Sequence, residues 1–226
     1  MTSMSAEPQA VSWMRSIARR LGTHWVLKMF GTMLGIYGFF LLYFWVQRSQ
    51  ADRAMVVPMT AIDDWVGISQ YAVLPYVSLW LYVSLAPALA ANMAGLRSYI
   101  TGAVTMAGVG LATYWLFPTR TPAFPVDWSG YPALHLLKST DLGGNAFPSL
   151  HVAFAAHAGV VIARELQDVD APAWVRAFNW LWCVAIVYST LATRQHVVID
   201  VVGGLMLAGV AVAVCAWQDG QLRRGR

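Results

Sequence analysis

Charge is what this sequence has least of. Only 12% of its 226 residues are Asp, Glu, Lys or Arg, against roughly 25% in a soluble domain, so most of its surface must face something other than water. Cysteine is almost as scarce. The two present, Cys183 and Cys215, fall inside apolar runs, which excludes a disulfide framework and leaves them as small buried hydrophobes. No cluster of Asp and Glu suits Mg²⁺, and no histidine spacing suggests a Zn²⁺ site, so neither metal nor cofactor is expected. The net charge of +4 comes from scattered basic residues, not from a basic stripe interleaved with exposed aromatics, and a nucleic-acid partner is excluded. Internal repeats and low-complexity tracts are missing too. The first apolar run starts near Trp25 and is too long for the core of a cleavable signal, so it is expected to remain as a membrane helix.

What the chain has in abundance is apolar sequence, 58% of it. A helix needs roughly 20 apolar residues to cross the hydrocarbon core, and six segments approach that length: residues 25–46, 71–91, 99–117, 148–163, 175–191 and 197–217. The expected fold is all-α, a polytopic membrane protein with six transmembrane helices in one bundle. It divides into an N-terminal arm (1–23), a membrane domain (24–217) and a basic tail (218–226). Within the arm, residues 11–21 read as an amphipathic interfacial helix with Arg15, Arg19 and Arg20 near lipid headgroups. Trp25, Trp45, Tyr71, Tyr99, Trp115, Trp174 and Trp217 sit at run ends, where amphipathic rings favour the interface; Trp80 and Trp182 read as core. Gly203-Gly204 and Gly108-Val109-Gly110 are expected at close helix contacts.

Six spans leave both termini on one side. That side holds Arg15, Arg19, Arg20, Lys28, Arg97, Arg164, Arg176, Arg223, Arg224 and Arg226; the other holds Arg48, Arg53, Arg120, Lys138 and Arg194. The excess places the termini in the cytoplasm. The loops at 118–147 and 193–196 then share the opposite face.

Those two loops border the histidines that matter. In the first segment a Gly143-Gly144-Asn145 turn leads into Phe147-Pro148-Ser149-Leu150-His151. Proline suits a first helical turn, so Ser149 and His151 are expected at a helix N-terminus, a ready site for phosphate. An interfacial histidine beside a cap is the plainer reading of the same residues. The second segment is Thr193-Arg194-Gln195-His196-Val197-Val198-Ile199-Asp200. His196 and Asp200 are four apart and share a helix face. A carboxylate about one turn into a span is costly and usually functional. Here it is expected to accept a hydrogen bond from His196, fixing the tautomer as in a catalytic triad, with Arg194 supplying a cation suited to phosphate oxygens. A structural His–Asp pair between helices is the rival reading. Arg120, in Phe117-Pro118-Thr119-Arg120-Thr121-Pro122, is a second candidate clamp, or else a loop charge or headgroup anchor; Lys138 is a weaker one. His24, His135 and His157 lack comparable company.

Phe147 to His151, followed by Ser189 to Asp200, resembles the type 2 phosphatidic acid phosphatase superfamily. The likeness covers about residues 117–204 and is nearest the branch of inositol phosphorylceramide synthases and related bacterial membrane proteins. It implies a six-helix membrane core and metal-independent phosphoryl transfer, with His196 as nucleophile, Asp200 as its orienting acid and His151 as proton donor to the leaving oxygen. Ser149 with Arg194 or Arg120 matches phosphate-binding positions. The sequence departs from the usual signature at Leu150, where the family has Gly, and at Thr190, where it has Arg; the Lys and Arg-Pro of the first motif are missing.

The expected function is therefore a lipid-phosphate phosphatase working through phospho-histidine at the non-cytoplasmic face of a bacterial inner membrane. Its partners are a lipid-phosphate substrate and membrane lipids. The first alternative is a phospholipid or sphingolipid headgroup phosphotransferase using the same nucleophile. A non-enzymatic transporter is a third, weakened because only Asp200 lies clearly inside a span, too few groups for a proton relay.

Overall fold

A computed structural model describes residues 9–140 and 143–224. The first eight residues of the expected arm, residues 141–142 of the long loop and the last two of the tail lie outside the described residues. Nine α-helices follow in chain order among them: α1 (Gln9–Gly22), α2 (Trp25–Gln50), α3 (Ala61–Trp65), α4 (Val73–Leu89), α5 (Met93–Leu116), α6 (Pro132–Thr140), α7 (Leu150–Asp168), α8 (Ala173–Ala192) and α9 (Val198–Arg224). Two short strands, β1 (Met55–Val56) and β2 (Thr119–Arg120), pair in parallel. The chain is all-α apart from that pairing.

Four helical segments are long and apolar enough to cross a membrane: Trp25–Arg53, Gln70–Leu89, Ala173–Ala192 and Val198–Gln221. They make this a membrane protein. Each of the six expected segments forms a long helix, but α5 and α7 are outside that apolar set. The reason for α7 is its position: it packs against α4, α5, α8 and α9. Ten of its nineteen residues are buried, so little of it has to match lipid, and it can carry His151, His157, Arg164 and Glu165. Around it Leu79, Ala86, Ala158 and Ile186 form one core cluster, and Met106, Tyr114, Ala153 and Ala211 a second. Cys183 and Cys215 are free and buried, as expected.

Exposed rings mark most of the anticipated belt: Trp25, Trp45, Tyr71, Trp174 and Trp217 are all more than half exposed. Tyr99 is the correction. It is buried, and its hydroxyl donates to the Val83 carbonyl 3.1 Å away. α1 forms where an amphipathic helix was expected, but Arg20 does not face headgroups. Its guanidinium pairs with Glu165 and with Asp168 Oδ2 (2.5 Å), clamping α1 to the end of α7. The glycine expectation also divides. A Cβ at Gly203 would meet the Phe147 ring, and at Gly110 the Leu150 side chain, whereas at Gly108 it meets nothing.

Candidate active site

Two helix starts and one intervening loop meet at the end of the bundle opposite α1. α7 begins two residues later than Pro148 at the first helical position would give: Pro148, in a cis peptide after Phe147, precedes the cap, and Ser149 is the N-cap. Ser149 Oγ accepts from Val152 N (3.3 Å), filling one of the donors a helix start leaves open. Ser149 is fully buried, and its own N–H donates to the Asp200 carbonyl (3.0 Å), joining the starts of α7 and α9 directly. Gly204 makes that approach possible, since a Cβ there would lie 2.4 Å from the Ser149 carbonyl oxygen. Tyr114 donates its hydroxyl proton to the Pro148 carbonyl (2.6 Å), and Asn145, in the left-handed region at φ 56°, donates its amide to the Tyr43 carbonyl (3.1 Å).

At the start of α9 the expected pair is present. His196 Nδ1 lies 3.3 Å from Asp200 Oδ2, and the same oxygen accepts Val197 N (3.0 Å). The carboxylate thus reaches back one turn to the cap backbone, as the acid of a capping box does, while fixing the imidazole. Asp200 is fully buried and its Oδ1 has no partner among the described residues. Across the gap stands His151. The two imidazole centroids are 6.0 Å apart with planes tilted by 56°. Tyr76 stacks on the other face of this arrangement, 4.6 Å from the His151 ring at 18°, and Trp80 meets that ring edge-on at 5.8 Å. Two imidazoles with this spacing can act on one tetrahedral group, one as nucleophile and one as proton donor.

Arg194 adopts φ 57°, an uncommon conformation for a residue with a side chain. Its Nη1 donates to the Asp63 carbonyl (2.7 Å) and its Nη2 to the Val66 carbonyl (2.8 Å), and the guanidinium lies over the Phe124 ring at 5.0 Å. Two of the five guanidinium N–H groups are thus engaged with the 60–66 segment, and Nε, buried, has no partner among the described residues. Lys138 Nζ donates to the Arg194 carbonyl (2.6 Å) and lies over Phe124 and Trp128. It braces the loop. Arg120 is exposed on β2; its carbonyl accepts from Val57 N (3.0 Å) and its backbone bridges to Gly144. Thr190, where the family carries Arg, is fully buried; its carbonyl accepts from both Gln195 N and His196 N at 3.0 Å.

Three residues escaped the sequence reading. Asp63 Oδ1 accepts Val198 N (2.8 Å), supplying the cap that Val197 cannot, and its Oδ2 accepts from Thr60 N and from the Thr60 hydroxyl. The Thr60-x-x-Asp63 spacing is a capping-box signal and could have been found. Tyr76 carried none beyond its place at a helix start. Gln195 is 3% exposed between Arg194 and His196, and neither end of its amide has a partner among the described residues.

The profile of the PAP2 superfamily matches residues 42–214. Comparison with curated proteins and with solved structures returns no match. The matched stretch runs from the last turns of α2 to near the end of α9 and contains every residue of the site just described. The chain belongs to the PAP2 superfamily, whose members generally hydrolyse phosphoric esters.

Proposed function

We propose that the protein is a lipid-phosphate phosphatase with six membrane spans, working on the non-cytoplasmic face of a bacterial inner membrane through a phospho-histidine intermediate. The observation that carries the reading is the pair of facing imidazoles, 6.0 Å apart, with His196 alone anchored by a buried carboxylate.

Asp200 holds the His196 Nδ1–H, which leaves Nε2 with its lone pair for attack on phosphorus. The N–P bond forms as the ester P–O bond breaks, and protonated His151 gives its proton to the departing alkoxide. Water then attacks phosphorus, His151 takes a proton from it, and the N–P bond breaks to release phosphate and free His196. Tyr76 and Trp80 hold the His151 ring in line for both transfers. Some backbone donors of the two helix starts are used by Ser149 and Asp63; the remaining ones, with Gln195 and the Arg194 N–H groups not engaged with Asp63 and Val66, are the polar groups for the phosphate oxygens. Lys138 serves the loop in this scheme, and Arg120 lies further out.

A second reading keeps the first half-reaction and replaces water by an alcohol of another lipid or polyol. The likeness of the motifs to the inositol phosphorylceramide synthase branch, with Thr190 in place of Arg, favours it. Purified protein is incubated with a panel of lipid phosphates, with and without EDTA, beside His196→Ala. Release of inorganic phosphate by the wild type alone, unaffected by EDTA, is expected. A new phosphodiester product selects the transferase. Equal turnover by His196→Ala overturns the mechanism.

A further inference from the structure

Below the two histidines, α2, α4, α5 and α7 leave an apolar groove of about 400 Å³. Its near end is walled by Phe39, Trp80 and Phe154, and two of these belong to the site's surroundings. Trp80 is the ring edge-on to His151, and Phe154 follows His151 by one turn on α7. Its far end is closed by Lys28, whose Nζ donates to the carbonyls of Arg20, Ala88 and Ala90 at 2.8, 3.0 and 2.8 Å. With its ammonium committed to backbone, Lys28 contributes only its methylene stem to the groove.

The α2 wall is unusual. Gly31 and Gly35 line the groove, and a Cβ on either would meet nothing within 4 Å. Gly102, Gly110, Gly203 and Gly204, by contrast, each touch a neighbouring element closely. Glycine inside a helix is destabilising, and at 31 and 35 helix contact does not explain it. A larger side chain at either position would project into the groove. From Lys28 to Phe39 the helix rises about 16 Å, close to the roughly 15 Å depth of one leaflet's hydrocarbon.

We propose that this groove takes a long hydrocarbon chain of the phosphate ester, entering past Trp80, and that Gly35 and then Gly31 set the chain length accepted. The inference rests on the phosphate-ester reading of the site and narrows its substrate to esters that carry a long hydrocarbon chain.

The test uses the full chain in mixed micelles with n-octyl, n-dodecyl and n-hexadecyl phosphate. Gly35→Leu is expected to lower kcat/KM at least tenfold for the dodecyl and hexadecyl esters and to leave the octyl ester within twofold. Gly31→Leu, one turn further from the histidines, should spare dodecyl and lose hexadecyl. Gly38→Leu, on the same helix with equally open space but outside the groove lining, should leave all three within twofold. Retained octyl cleavage reports that each variant is folded. Equal effects on all chain lengths, or no loss on hexadecyl, would overturn the groove assignment while leaving the phosphatase reading standing. A wild type that cleaves none of the three esters removes the phosphate-ester reading itself.

Discussion

Asp63 holds both sides of His196. Its side-chain Oδ1 accepts the Val198 N–H at 2.8 Å, two residues after the histidine, and its main-chain carbonyl accepts Arg194 Nη1 at 2.7 Å, two residues before it. The setting of the imidazole is therefore tied to a short helix whose Asp63 lies 135 residues before Val198 in sequence. Asp63→Ala removes a helix cap, a loss of about 1–2 kcal/mol, and leaves a half-buried N–H without its acceptor. The expected result is a lower unfolding midpoint together with a fall in kcat that exceeds any change in KM. Asp63→Asn keeps an acceptor for Val198 but turns a donor toward Thr60 N, so it should lie between Ala and wild type. A variant with full kcat and reduced stability would show that the cap is structural only.

Asp200→Asn tests the orienting acid. The amide is nearly the same size, so packing at this fully buried position is kept, while the hydrogen bond that fixes the His196 tautomer is lost or reversed. The corresponding change in a serine-protease triad costs about 10⁴ in kcat. A fall on the order of 10²–10⁴ with KM little changed is expected here. Loss of stability without loss of rate would make the pair a structural lock between helix starts.

Arg194 separates charge from geometry. Its two Nη groups grip two carbonyls on the 60–66 segment while its plane lies over Phe124. A lysine carries the same charge but cannot form that fork or that stack. Arg194→Lys should therefore lose nearly as much activity as Arg194→Ala, with a matching fall in thermal stability. Substantial rescue by lysine would mean that the charge acts directly on phosphate.

The contrast between Arg194 and His196 shows what the sequence could and could not carry. His196 and Asp200 are one turn apart on one helix, so their contact follows from local periodicity. The long helices were legible for the same reason, because apolar runs declare themselves. The facing of His151 and His196 is long-range, and only the family resemblance implied it. Arg194 showed its charge, but its partners are backbone carbonyls of residues that no spacing links to it. Asp63 lies in α3, whose capping signal was readable, yet it caps a second element, α9, as well. Tyr99 and Arg20 share a feature: each has a polar tip typical of an interface, and each finds a specific partner, the buried Val83 carbonyl or the partly buried Glu165, that composition does not reveal.

The close approach of the two helix starts gives the last expected outcome. Gly204 faces the Ser149 carbonyl oxygen and the Val152 side chain at distances, 2.4 and 2.9 Å for an added Cβ, that no real side chain tolerates. The obstacle at 204 is backbone, so relief requires α7 and α9 to separate. Their separation would stretch the Ser149 N–H bond to the Asp200 carbonyl and move His151 away from His196. Gly204→Ala should destabilise the fold by about 1–3 kcal/mol, the usual scale for overpacking, and lower kcat further than the stability loss explains. Gly108→Ala is the matched control: its Cβ meets nothing, and alanine favours the helix, so stability should be equal or slightly higher with activity unchanged. Thermal unfolding and phosphate release measured on both variants decide the point, and equal behaviour of the two would mean that the helix starts are not rigidly coupled.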